Sequence, residues 1–243
     1  VTSTIAGQLS VSPVPMPTAL RGRWQFNEVS ALAATAAGVT GPALSVPAGS
    51  LGAVAGETAA PDGGLRLTGA AGASSPVPML AVPAQGVTVA VKVKDPGGSR
   101  GPVVSQDAAS GAMLKVTVIN SPLGAPLYQV SVVTSAGVFT GRAAAGVDAT
   151  GWDWVIASYL PPDPVTGSPG WVCIWSQLQT TAVFTTSGVT PVSAGAVTVV
   201  AVGPLRVGAV KSGTSVTAGF VGVVDDVSVW SGTATVVTAR DFF

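Results

Sequence analysis

Apolar residues return at every second position along most of this chain, and that alternation decides what it can fold into. Val87-Thr88-Val89-Ala90-Val91-Lys92-Val93-Lys94 sets apolar side chains against polar or small ones. Leu114-Lys115-Val116-Thr117-Val118 and Tyr128-Gln129-Val130-Ser131-Val132 repeat the pattern. Successive side chains of an extended strand point to opposite faces, so each segment has one face for a core and one for water. Further strands are expected over 64–68, 152–159, 171–176, 182–185, 197–202 and 220–230. Turn chemistry separates them at Asp95-Pro96-Gly97-Gly98, Ser121-Pro122-Leu123-Gly124, Ser135-Ala136-Gly137 and Ser212-Gly213. About a dozen short strands punctuated by Gly and Pro predict a two-sheet sandwich or a barrel. Only residues 30–37, as a turn or two, and 234–243, as a short terminal segment, admit helix.

The chain has 243 residues, enough to remove roughly 70% of its unfolded surface from water. Apolar residues make up 47% and mean hydropathy is +0.56, which excludes disorder. Charged residues are only 9%, against about 25% in an ordinary domain. Thr, Ser, Gly, Ala and Pro must therefore cover the surface, and such a surface repels neighbours weakly. Net charge is zero, and the densest basic clusters are Arg21-Gly22-Arg23 and Lys92-Val93-Lys94. Nucleic acid and anionic membrane both require phosphate-neutralising patches, so neither is expected as a partner. Cys173 is the single cysteine, which rules out an intrachain disulfide. No run reaches the ~18 apolar residues of a membrane-spanning helix. Val1-Thr2-Ser3-Thr4 carries no charged region followed by an apolar core, so no signal peptide is expected.

Residues 1–20 differ from the rest. Val11-Ser12-Pro13-Val14-Pro15-Met16-Pro17 reads as an extended, polyproline-like arm preceding a single domain over 21–243. A frayed terminus is one reading. An arm that docks on a neighbouring subunit through Ile5, Leu9, Val11 and Met16 is the other.

Taken in order, the strands resemble the laminin-G-like, concanavalin-A-like lectin and glucanase jelly rolls. Trp24-Gln25-Phe26-Asn27 resembles the family's opening strand, and Gly64-Leu65-Arg66-Leu67-Thr68-Gly69 the next. Val87–Val93, Trp154-Val155-Ile156-Ala157 and the strand 171–175 follow in the same order. Leu205-Arg206-Val207-Gly208, then Phe220-Val221-Gly222-Val223-Val224-Asp225-Asp226-Val227-Ser228-Val229-Trp230, is similar to the family's closing motif and carries most of the likeness. The resemblance implies an all-β, two-sheet antiparallel jelly-roll sandwich. Such folds host lectins, glucanases, adhesion modules and virion proteins, so it does not fix a function.

The chain has no histidine, which removes Ser-His-Asp and Cys-His catalysis. Cys173, in the alternating Val172-Cys173-Ile174, reads as a buried small hydrophobe. Glycoside hydrolysis needs two carboxylates flanking the scissile bond. The only glutamates, Glu28 and Glu57, do not stand in the glucanase setting, and Asp148 and Asp153 read as solvated caps around a turn. A non-enzyme is expected. Adjacent residues of a regular strand face opposite ways, so Asp225 and Asp226 should not share one substrate. The resemblance does allow one of them to hold a structural Ca²⁺ together with Asn27, although Asn in place of Asp weakens such a site. Otherwise no cofactor is implied.

Trp24, Trp154 and Trp230 match core positions of the family pattern. Trp152 and Trp171 border loops and are the better platforms for a sugar ring, with Tyr159 and Asp163 at the rim of the 161–169 loop. Two functions follow. The first is a tailed-bacteriophage virion component, a capsid decoration or minor tail protein whose partners are other virion proteins or copies of itself, with host-surface polysaccharide as a further ligand. Its location would be the virion. The second is a secreted or cell-surface bacterial carbohydrate-binding module.

Overall fold

The computed structural model describes residues 19–26, 35–36, 38–48, 50–55, 61–80, 86–94, 100–148, 150–178 and 184–234. Residues 1–18 of the expected arm, with Ile5, Leu9, Val11 and Met16, lie outside them. So do Asn27, Glu28, Glu57 and the expected terminal helix beyond Ala234. Among the described residues there is no helix.

The first strands are β1 (Ala19–Trp24), β2 (Thr35–Ala36), β3 (Leu44–Ser45), β4 (Leu51–Ala55), β5 (Pro61–Thr68), β6 (Ala73–Ser74), β7 (Val87–Lys94), β8 (Gly101–Ala108) and β9 (Gly111–Asn120). After them come β10 (Pro126–Thr134), β11 (Gly137–Gly146), β12 (Asp153–Leu160), β13 (Gly170–Leu178), β14 (Thr190–Val192), β15 (Ala201–Val207), β16 (Ala209–Ser212), β17 (Ser215–Ala218) and β18 (Val221–Ser231). They form two eight-stranded sheets and a separate hairpin, β16–β17. The first sheet runs β14-β13-β12-β7-β18-β5-β4, with β1 also on β18; the second runs β11-β10-β9-β8-β15-β6-β3-β2. All strand pairs are antiparallel. This is the two-sheet jelly-roll sandwich.

The core lies between the sheets and is built by the period of two. Val87, Val89, Val91 and Val93 of β7 and Val155, Ala157 and Tyr159 of β12 meet Leu114, Val116 and Val118 of β9 and Tyr128, Val130 and Val132 of β10. Trp24, expected in the core, is fully buried there. At one edge the 184–192 segment ties the sheets together: the Thr190 hydroxyl donates to the Thr140 carbonyl at 2.8 Å, and the Ser187 amide to the Arg142 carbonyl at 3.1 Å.

β18 carries the closing motif, and its regular alternation breaks at Asp225-Asp226. β5 pairs with Val221–Val224 and β1 with 227–231, so two strands share one flank of β18 and the register shifts where they meet. Val224 and Val227 both join the core, which leaves two residues where alternation allows one. The two aspartates therefore do not simply face opposite sides of the sheet. The glycine of the same motif has a steric cause: a Cβ at Gly222 would lie 2.5 Å from the Lys94 carbonyl oxygen and 2.8 Å from the Phe220 ring.

Candidate functional site

The outer faces of the two sheets differ. On the first sheet, Trp154, Ile156, Trp175, Phe184, Ala90 and Cys173 form a second apolar cluster, with half-buried Trp171 and Trp230 packed against it. Ala234, just beyond β18, joins this cluster, and its amide donates to the Ser158 hydroxyl at 2.9 Å. The Cys173 thiol is buried in that cluster; burial pushes it up, against an opposing hydrogen bond with Thr186. It is an inert packing residue.

The outer face of the second sheet is polar. Ser131 of β10 lies between Lys115 of β9 and Thr140 of β11, and Gln129 lies between Thr117 and Arg142 in the next row. The Arg142 Nε donates to Gln129 Oε1 at 3.2 Å, and Gln129 Nε2 donates to the Ser131 hydroxyl at 3.2 Å. The β16–β17 hairpin stands at one end of these rows. Its Lys211 Nζ donates to the carbonyl oxygens of Ala108 and Ala109, both at 3.0 Å, which fixes the hairpin on the β8–β9 turn. Between hairpin and sheet lies a groove of about 240 Å³, lined by Lys115, Ser131, Val133, Val138, Lys211 and Ser212 among others. Two ammonium groups, two hydroxyls and a valine floor suit a small polar ligand with an apolar face.

The residues expected to bind sugar do not meet there. Tyr159 is fully buried, with its hydroxyl 2.5 Å from Thr198 Oγ1, and burial pushes its pKa up; it is a core residue and not a rim. Trp152 is 4% exposed and packs against Val223, so it offers no ring face to a ligand. Trp171 keeps some exposure at the edge beside β14, where it pairs with Pro191. Asp163 is exposed, but its own turn uses the carboxylate: it accepts the Val165 amide at 2.8 Å and the Thr166 hydroxyl at 2.7 Å. The Thr166 hydroxyl and Val165 amide hold that carboxyl below the usual range. Beside it, Pro161, Pro162, Pro164 and the 194–198 segment line a second cleft of about 290 Å³ that lacks charge.

The expected Ca²⁺ site does not fit its residues. Both oxygens of Asp226 accept from Arg23, at 2.7 Å from Nε and 2.8 Å from Nη2, and Lys92 Nζ lies 3.7 Å away. Asp225 turns a carboxylate oxygen to the Asp226 amide at 2.7 Å. Two cations already neutralise the carboxylate a metal would need. Among the described residues no group of three or more His, Cys, Asp or Glu side chains comes together. Asp153 is a fully buried acceptor from the Tyr128 hydroxyl at 2.7 Å and the Asp148 amide at 3.0 Å, not the solvated cap expected of it. Asp148 is a cap, held low by its hydrogen bonds to Thr150.

Lys115, Ser131, Lys211 and Ser212 belong to no sequence motif that marks them as site residues. Alternation alone turns Lys115 and Ser131 outward together. What brings Lys211 to them is the folding of the Ser212-Gly213 hairpin over the same face, which no local pattern states.

No protein-family model matches the chain, and a search of curated proteins finds no match. Solved structures share its fold. Domain 4 of AbnA, an extracellular arabinanase of Geobacillus stearothermophilus in complex with arabinotriose, is similar at a TM-score of 0.54 and 14% identity, over 92% of this chain and 97% of that one. Trypanosoma rangeli sialidase in complex with sialic acid is similar at a TM-score of 0.59 and 12% identity, over 93% of this chain; the match spans 33% of the sialidase.

Proposed function

We propose that this chain is a non-catalytic carbohydrate-binding module that holds its ligand in the groove on the outer face of the second sheet. The observation that carries the reading is the contrast between the two faces. One is closed by packed aromatics, whereas the other presents Lys115, Ser131, Lys211 and Ser212 around an open groove. Supporting it, the arabinanase domain matched along nearly its whole length was solved with arabinotriose, and the sialidase with sialic acid. Catalysis is not part of the proposal. No histidine exists in the chain; Asp226 and Asp107 are held by arginine, Asp153 accepts from tyrosine, and Asp148 and Asp163 serve their own turns. No structural Ca²⁺ is proposed at Asp225-Asp226. A glycan array followed by product analysis tests the reading: oligosaccharides are retained and recovered intact. Reducing-end release that a carboxylate substitution abolishes, or retention of no glycan, overturns it.

A second reading places the module on a bacteriophage particle, among other virion proteins or copies of itself. It is favoured by the low charge and by Val197, Val200 and Val202, which are 68%, 72% and 56% exposed along one segment. Sedimentation of the purified chain addresses it: a concentration-dependent oligomer supports an assembly role, and a monomer at all concentrations favours the free module, secreted or surface-attached.

A further inference from the structure

We infer that the groove selects sugars bearing an anionic substituent, a carboxylate or a sulfate; this rests on the carbohydrate reading and sharpens it. The inference begins at Lys115. Its strand pairs it with Ser105 on one side and Ser131 on the other, and it points out of the core at half burial. Among the described residues nothing hydrogen-bonds or ion-pairs with its ammonium. The Ser105 hydroxyl is already given to the Ala209 carbonyl at 2.8 Å. A partly desolvated ammonium without an acceptor is unfavourable, and an anion in the groove supplies the acceptor.

Lys211 adds a second positive charge at a fixed place. An ammonium has three donors, and two carbonyls take two of them, which leaves one for the groove. Arg142, one row away, is a third cation of the same face. Among the described strands of this sheet Asp107 is the only acid, and Arg206 holds it at 2.8 Å. The Ser131 and Ser212 hydroxyls remain beside the charges for sugar hydroxyls. A neutral sugar would leave Lys115 uncompensated; an acidic one would not. A lysine is a point charge and does not read the planarity of a carboxylate, so carboxylate and sulfate are both admitted.

Three probes sharing galactose stereochemistry separate the possibilities: galactan oligosaccharides, galacturonan oligosaccharides and sulfated galactan oligosaccharides, titrated calorimetrically into the intact chain. At least one anionic probe should bind about tenfold or more tighter than galactan, and the two anionic arms show which group is preferred. Lys115→Met should lose about tenfold on the anionic probe. Lys115→Arg should retain anion binding, and Lys94→Met, on the other sheet, should match the wild type. Raising salt from about 0.05 to about 0.5 M should weaken only the anionic arm of the wild type, a readout that needs no variant. Equal binding of all three probes, or no loss in Lys115→Met, overturns anion selection while the carbohydrate reading stands. Binding of no glycan overturns both.

Discussion

Asp226 adopts φ of 47° in a strand, and its surroundings explain why it is tolerated. Aspartate visits left-handed backbone more readily than most residues. The Asp225 carboxylate accepts its amide, and Arg23 grips its side chain from β1. The pair thus closes the gap where β5 ends and β1 begins. Asp226→Asn should cost about 2–3 kcal/mol, because Arg23 and Lys92 lose their counter-charge, and denaturant unfolding measures it. Excess chelator should leave the wild-type melting temperature unchanged; a fall would restore a metal to this site. Tyr159 gives a pH signature. Its folded pKa is raised by burial, so between about pH 10 and that higher value the unfolded chain has released the proton and the folded one has not. The contribution is fully present below about pH 10 and is lost as pH rises through the folded pKa. Tyr159→Phe should flatten that alkaline decline, and an unchanged slope would contradict the assignment.

The strands that obey the period of two were legible in the sequence, and those that do not were missed. Val87–Lys94 is a strand over the whole expected span, and the expected 114–118, 128–132 and 171–176 lie within β9, β10 and β13, whereas the expected 152–159 and 220–230 each begin one residue before β12 and β18. β8 and β11 carry no such signal, since Val103-Val104 around a register shift and the small residues of Gly141-Arg142-Ala143-Ala144-Ala145 show no alternation. The strand expected over 197–202 lies later, at Ala201–Val207, because Val197–Val200 is a connection held by Ser135 and Val133. Ser212-Gly213 was readable as a turn, and it closes the hairpin that walls the groove. Gly213 has φ of 60° and open space around it, so Gly213→Ala should cost about 1 kcal/mol, from backbone conformation alone. Gly222→Ala meets backbone and ring instead and should cost about 2 kcal/mol or more in the same unfolding assay.

For the molecule as a whole, the fold was written in local patterns and the site was not. Alternation, turn residues and the closing motif are properties of contiguous sequence. The groove joins β9 and β10 to a hairpin some 80 residues further on, at Lys211, and only the packed sandwich shows that they meet. Tryptophan was a misleading guide for a related reason: an aromatic next to a loop reads as exposed, yet Trp152 and much of the Trp154–Trp175 cluster are spent on covering the first sheet. Backbone amide and lysine-methylene NMR shifts, followed during titration with the tightest oligosaccharide from the array, locate the binding face most directly. The account predicts perturbations centred on Lys115, Ser131, Val133, Val138, Lys211 and Ser212, with Trp171 and the 161–167 loop unmoved. Perturbations centred on Trp171 or that loop, with the Lys115 face silent, would contradict it.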